Sequence, residues 1–298
     1  MILIVGATGM LGGMVTQRLL ARGKDVRILV RRNSASDVMA AQGMATSAKT
    51  LIDAGAQPAY GDMKDRASLD RAMAGVHTVL TTANSALRGG EDNPETVELR
   101  GNRNLIDAAK AAGAERFLFT SVLGADPNSP NPFVRGKGQT EIALRESGLT
   151  YTILSPNAFA EVWVGMVVGG PLRAGQPITL VGEARRVHSF VSMGDVAAFG
   201  AAAVDNPAAR NATIPIGGPE AVSWRAIVAG VGQIMGRELP VRFVQAGEPV
   251  PFIPESVQGL MASQDTYDSL LPMADTAATY GVALTPMKTV LQRMFGAG

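Results

Sequence analysis

The sequence has no cysteine and only two histidines, and its 27 basic and 26 acidic residues leave a net charge of +1. Without cysteine there is neither a disulfide nor thiolate chemistry, which fits a reducing compartment. His77 and His188 are scattered, so no cluster of metal-ligand type is available and no metal is expected. A net charge so close to zero does not suggest a polyanion partner such as nucleic acid. Long apolar runs are missing as well. A stretch such as VWVGMVVGG falls far short of the roughly 18 to 20 residues that span a bilayer. The opening MILIVGATG has no basic start and its apolar run breaks at Gly6, which reads as a buried first strand rather than a signal peptide. Neither an internal repeat nor a low-complexity tract is present. From these absences a soluble, cytoplasmic protein without nucleic-acid or membrane partners is expected; separately, a small-molecule substrate and a monomer or homodimer are expected.

At 298 residues the chain can bury one large core, or one core with a smaller lobe. Its first half alternates short apolar runs with helical patterns. Strands are expected over 2–5, 26–30, 57–60, 78–82, 116–120 and 151–154, each mostly apolar, as strands covered on both faces are. Leu11, Val15, Leu19 and Leu20 keep helical spacing up to a stop at Gly23, and Leu105, Ile106, Ala109 and Ala112 do so up to Gly113. Such alternation predicts an α/β fold, a doubly wound parallel Rossmann sheet with right-handed crossovers. Two connections are long. The one between Arg32 and Gln57 is expected to hold a mobile polar start and a helix near 47–54, and NSALRGGEDNPETVE follows the fourth strand. Loops of this length beside the carboxyl ends of strands are commonly ligand lids.

After Pro156 the rhythm turns irregular. One or two short strands, a helix beginning near Asp195 with Gly194–Asp195 as its cap, a strand, a helix capped by Ser223 and stopped at Gly236, and a further strand are expected. Residues 1–155 are therefore read as an NAD(P)-binding domain and 156–298 as a smaller α/β substrate lobe, some of whose elements return to the sheet.

The most informative stretch is IVGATGMLGG, residues 4–13. Gly6, Gly9 and Gly12 follow a strand and open an amphipathic helix, the context that phosphate binding at a helix N-terminus requires. Gly6 permits the tight turn, Gly9 lets backbone amides approach a pyrophosphate, and Gly12 lets the helix pack on the sheet. A structural turn without a ligand is the plainer alternative. The dinucleotide is read at the end of the second strand. An NAD site carries an acidic residue there for the ribose 2′-hydroxyl. Here DVRILV ends in Arg31 and Arg32, while Asp25 lies at the wrong end. Paired guanidiniums suit a 2′-phosphate and can stack on adenine, so NADP(H) is the expected cofactor. A solvated basic turn is the bland reading of the same pair.

With GATGMLGG and LVRR on the page, the chain resembles the atypical short-chain dehydrogenase/reductases, and within them the NmrA-like group of quinone reductases, isoflavone-reductase-like enzymes and redox-sensing regulators. AYGDMKDRASLDRAMAGVHTVL, NLIDAAKAAGAERFLFTSVLGAD, GKGQTEIALRESGLTYTILSPNAF and IGGPEAVSWRAIVAGVGQIMGRELPVRFV carry the resemblance over about residues 1–244. It implies that Gly6, Thr8, Gly9, Met10, Leu11 and Gly12 line the pyrophosphate and that Arg31 and Arg32 take the 2′-phosphate. It further implies that Asp62 and Met63 flank the adenine, that Ala83 and Asn84 border the ribose, and that Ser121 and Val122 face the nicotinamide. Lys137 would hold the nicotinamide ribose or exchange protons with substrate, and Pro156, Asn157 and Phe159 would close the pocket.

One departure matters. Short-chain dehydrogenases generally use Tyr-x-x-x-Lys, in which the lysine lowers the pKa of a proton-transferring tyrosine. The matching stretch here is FVRGK, with Phe133 at the tyrosine position and Lys137 at the lysine position. Phenylalanine donates no proton, which disfavours a conventional alcohol dehydrogenase or epimerase. Lys137 and Ser121 are then the catalytic candidates. Against Lys137 stands a surface ion pair with Glu141, four residues on. Against Ser121 stands an inert strand end, and His188 reads as a half-buried strand residue. Phe133, Phe159, Trp163 and Met166 form a candidate apolar substrate pocket, with ordinary core packing as the alternative for each.

Two functions are consistent with these residues. One is an NADPH-dependent reductase passing hydride to a quinone, an enone or a ketone, the last if Ser121 and Lys137 together stabilise an alkoxide. The other is a non-catalytic NADP(H) sensor, or an assembly factor that holds the cofactor.

Overall fold

A computed structural model describes residues 1–32, 45–86 and 88–296. The apolar runs become β1 (Ile2–Val5), β2 (Val26–Val30), β3 (Gln57–Tyr60), β4 (Thr78–Thr81), β5 (Arg116–Thr120) and β6 (Thr150–Pro156). With β9 (Ala212–Ile216) they form one seven-stranded sheet of order β3-β2-β1-β4-β5-β6-β9. The pairs from β3 to β6 are parallel, with Ile2 opposite both Val26 and Thr78. Strand β4 ends one residue sooner than expected, although the Thr82 amide still donates to the Val5 carbonyl at 2.9 Å. Pro58 falls in β3, an edge strand, where a missing amide costs no ladder bond.

The crossovers are helical. They include α1 (Met10–Ala21), α2 (Ala48–Asp53), α3 (Arg66–Ala72), α4 (Asn102–Ala111) and α5 (Pro132–Arg145). The Ser47 hydroxyl caps α2 by accepting from the Thr50 amide at 3.0 Å. The polar start expected before this helix lies at residues 33–44, outside the described residues. A π-helical segment, Glu95–Gly101, runs directly into α4. Leu3, Ile4, Ile28, Leu80, Phe117 and Phe119 are wholly buried in the sheet layers. Each such side chain contributes about 1.5–3 kcal/mol relative to an exposed one.

The chain divides into two compact units, Met1–Ser155 with Val196–Ile214, and Pro156–Asp195 with Pro215–Gly298. The first contains the parallel sheet. In the second, β7 (Ile178–Val181) pairs parallel with β11 (Val241–Val244), and β8 (Val187–His188) pairs antiparallel with β10 (Val222–Ser223). Its core gathers Ile178, Leu180, Phe190, Trp224, Ile227 and Val231. Ser223 caps the helix Trp224–Met235, and Gly236 ends it in the left-handed conformation at φ +65°. The helix expected from Asp195 begins two residues earlier and spans Met193–Ala203. Asp195 does not cap it. Its carboxylate accepts from the Thr285 amide at 2.7 Å and hydroxyl at 2.8 Å, while the Ser192 hydroxyl accepts from the Gly194 amide. Among the described residues, no helix is long and apolar enough to cross a membrane.

Candidate functional site

The strand order turns back at β1 and β4, the switch point outside which open α/β sheets bind ligands. The glycine loop lies there. Gly6 has φ +86°, and a Cβ on it would stand 2.8 Å from the Ala83 amide nitrogen. A Cβ on Gly12 would fall 2.1 Å from the Gly6 carbonyl oxygen, so the turn closes only without side chains at both positions. The Gly9 amide donates to the Gly6 carbonyl at 2.9 Å. Gly9 caps α1 with no side-chain acceptor, and the first turn holds no acidic residue. The N-terminal amides of α1 are thus left for an anion, which is the chemistry a pyrophosphate requires. Thr8 and Met10 are half-buried beside the loop, and Leu11 is buried. Ala83 is half-buried and Asn84 exposed at the end of β4.

At the end of β2 the two arginines part. Arg32 stands over the Tyr60 ring, with its guanidinium carbon 4.8 Å from the centroid. Arg31 turns to carboxylates, with Nη1 2.7 Å from Asp92 Oδ2 and 4.0 Å from Asp62 Oδ2. Lys64 joins it, with Nζ 2.6 Å from Asp92 Oδ1 and 3.7 Å from Asp62 Oδ2. Arg88 reaches Asp92 Oδ2 at 3.1 Å. Burial alone would raise the Asp92 carboxyl, but Lys64 and Arg31 hold it down at about 2, and Asp92 in return raises Lys64. Met63 follows Asp62 just past the end of β3. Its side chain is buried in the core, where a Cβ on Gly101 would come within 2.8 Å of the Met63 methyl carbon.

The end of β5 and the middle of α5 carry the chemically reactive groups. Lys137 is only 2% exposed, which overturns the reading of a surface ion pair with Glu141. Its Nζ donates to the Thr120 carbonyl at 2.9 Å and stands 4.9 Å from the Phe119 ring and 5.5 Å from the Phe133 ring. Burial lowers the Lys137 pKa, while the Glu98 and Glu141 charges pull it back up. Glu141 itself accepts from the buried Ser121 hydroxyl and, through Oε2, from Arg145 at 2.9 Å. Glu98 is wholly buried on the π-helical segment. Its carboxylate accepts from the Ser85 amide at 2.8 Å and hydroxyl at 2.6 Å, which pins the chain just past Ala83 and Asn84. Val122 is half-buried, and its carbonyl accepts from Ser155.

The remaining candidates lie in the second unit. Pro156 is buried, Asn157 and Phe159 are half-buried, and the Asn157 amide group donates to the Ser269 hydroxyl at 2.9 Å. Trp163 and Met166 pack, partly exposed, against that unit's core. His188 is 2% exposed, more deeply placed than the half-buried strand residue expected. Its Nδ1 is 2.7 Å from the Ser269 hydroxyl and its Nε2 2.8 Å from the Gln264 carbonyl. Among the described residues no group of three metal-ligating side chains occurs.

A model of the NmrA-like family matches residues 1–269. The chain belongs to the NmrA-like family. An NAD(P)H azoreductase from Xenophilus azovorans is 30% identical over 244 residues, 82% of this chain and 76% of that protein. Photosystem II assembly factor Ycf39 from Cyanophora paradoxa is 29% identical over 252 residues, 85% of this chain and 73% of that protein. Among solved structures, Citrobacter sp. triphenylmethane reductase complexed with NADP(H) shares the fold of this NmrA-like protein. Its TM-score is 0.78, at 23% identity over 98% of this chain and 99% of that one.

Sequence reasoning missed Glu98, Lys64, Arg88 and Asp92. Three of them sit in or beside the long connection after β4, whose length alone marked it as unusual. Glu141 had been noticed only as a neighbour of Lys137 by helical spacing.

Proposed function

We propose that this NmrA-like protein is an NADPH-dependent reductase of the atypical short-chain type that transfers hydride to a small apolar or aromatic acceptor. The observation that carries this reading is Lys137, a buried cation held at the end of β5 beside Ser121, in the same unit as the uncapped glycine loop. The azoreductase relative, an enzyme that uses NAD(P)H, supports it. Bound NADPH supplies the hydride. The amides at the start of α1 hold the pyrophosphate, and Arg31 takes the 2′-phosphate. Asn84 and Val122 would border the sugar and nicotinamide, and within the second unit Phe159, Trp163 and Met166 are the residues with apolar surface suited to such an acceptor.

Lys137 makes one hydrogen bond to Thr120, so its ammonium retains charge for an oxygen that becomes negative as hydride arrives. Its lowered pKa eases release of the one proton that balances each hydride. Ser121 has a single hydroxyl hydrogen, and Glu141 accepts it. Proton delivery therefore falls to Lys137 without help from the Ser121 hydroxyl, which favours quinones and enones, whose negative charge delocalises, over ketones, whose alkoxide charge is localised. The cysteine-free sequence supports a cytoplasmic setting, and either a monomer or a homodimer accommodates the reading.

The test is NADPH oxidation with a panel of quinones, enones and ketones, followed by the absorbance of the reduced nicotinamide. Turnover on quinones or enones supports the reductase. The deep burial of Lys137 favours one other reading, a protein that binds NADP(H) and senses its redox state without turnover. Tight NADPH binding with no acceptor consumed would establish that reading instead.

A further inference from the structure

Arg31 follows β2, Lys64 follows β3 and Arg88 follows β4, yet all three converge on one carboxylate. Both Asp92 oxygens are used, Oδ1 by Lys64 at 2.6 Å and Oδ2 by Arg31 at 2.7 Å and Arg88 at 3.1 Å. Three cations exceed what a single negative charge neutralises. Among the described residues, adding Asp62, which lies 4.0 Å from Arg31 and 3.7 Å from Lys64, still leaves the cluster one positive charge in excess. A dianion in place of Asp92 would balance it. The cluster also stands where the end of β2 meets the ribose of a dinucleotide. The side chains of Arg31, Lys64 and Arg88 are 38%, 28% and 40% exposed, against 16% for Asp92, so the cations open to solvent while the anion between them is covered.

We propose that Arg31, Lys64 and Arg88 form one clamp for the 2′-phosphate of NADPH, and that Asp92 is its resident anion, which must leave when the phosphate enters. This rests on the reading that the cofactor is NADP(H). Gly89 and Gly90 come shortly before Asp92, with open space around both and φ +61° at Gly90, so the backbone there has the freedom to withdraw the carboxylate. The low Asp92 pKa and raised Lys64 pKa agree with a carboxylate that remains charged and engaged at neutral pH. Displacing a seated carboxylate reduces apparent affinity by the fraction of molecules in which the clamp is free. A cofactor without the 2′-phosphate leaves Asp92 in place and is insensitive to it. Asp92 thereby sets how strongly the protein prefers the phosphorylated dinucleotide.

The test measures binding of 2′,5′-ADP and 5′-ADP by calorimetry, which requires no turnover. Asp92→Asn, and Asp92→Ser as a second variant, should bind 2′,5′-ADP about fivefold tighter or better and leave 5′-ADP unchanged. Lys64→Ala and Arg88→Ala should each weaken 2′,5′-ADP by about tenfold, again without effect on 5′-ADP. Unchanged or weaker 2′,5′-ADP binding in both Asp92 variants overturns the proposal while a wild-type preference for 2′,5′-ADP keeps the cofactor reading. A wild-type protein that binds the two nucleotides equally overturns both.

Discussion

The Lys137 ammonium lies 2.9 Å from the Thr120 carbonyl oxygen and over the rings of Phe119 and Phe133, so the group proposed to act on substrate also belongs to the interior. A buried cation with one hydrogen bond is a poor stabiliser, because its desolvation cost offsets its attraction to Glu98 and Glu141. Lys137→Met keeps the aliphatic volume and removes the charge. Its melting temperature should nonetheless fall, because the Glu98 carboxylate stays buried without its neighbouring cation, and quinone turnover should fall by about 100-fold or more. Thermal unfolding and NADPH oxidation measured on the same preparation check both halves. Wild-type turnover in this variant would remove Lys137 from the mechanism.

The Ser121 hydroxyl donates to Glu141, whose other oxygen is held by Arg145. A hydroxyl committed in this way positions rather than protonates. Ser121→Ala should accordingly leave kcat on a quinone within about threefold of wild type, well short of the 100-fold or larger loss of a missing general acid. A loss of the larger size, with a pH profile that shifts along with it, would make Ser121 the proton donor.

The parallel sheet was legible because each of its central strands is a short apolar run, and β1, β2, β3 and β5 fall on the expected residues. The glycine loop was legible for a similar reason, since Gly6 and Gly12 answer local backbone constraints that spacing reveals. The surroundings of Lys137 were not. Helical spacing pairs it with Glu141, but the choice of partner depends on which face of α5 is buried, and β5 supplies the carbonyl that the ammonium takes. Asp92 was hidden for the same physical reason. Arg88 is a local partner four residues before it, but Arg31 and Lys64 come from two other connections, and only the folded sheet brings those to Asp92. The cap of the helix Met193–Ala203 shows a subtler failure, in which Thr285, some ninety residues away, takes the carboxylate that local pattern assigns to capping.

Gly12→Ala tests the cradle directly. A Cβ placed 2.1 Å from the Gly6 carbonyl oxygen forces apart the turn and the start of α1, which are both backbone and cannot yield cheaply. The substitution should weaken NADPH binding by at least about tenfold, with added loss of stability of about 1–3 kcal/mol from the strain. NADPH fluorescence titration and urea unfolding measure the two effects separately. Unaltered NADPH affinity would mean that the dinucleotide does not use this loop.

His188 makes the stability of the protein depend on pH. Its Nε2 faces the Gln264 carbonyl, an obligatory acceptor, so Nε2 carries the hydrogen and Nδ1 accepts from the Ser269 hydroxyl. That hydroxyl accepts in turn from Asn157. A second proton on His188 would turn the Ser269 hydroxyl from donor to acceptor and take away the acceptor of its hydrogen. Burial lowers the pKa below the ordinary value of about 6.5, so the unfolded chain takes up the proton first. The contribution is fully present above about pH 6.5 and is lost as pH falls through the folded-state pKa, at no more than about 1.4 kcal/mol per pH unit. His77, whose pKa burial also lowers, adds to the same slope. Urea unfolding between pH 7 and pH 5 should therefore show falling stability, and His188→Gln should be less stable at pH 7 but flatter across that range. A variant that keeps the full wild-type slope would assign the effect to His77 and leave His188 without a titrating role.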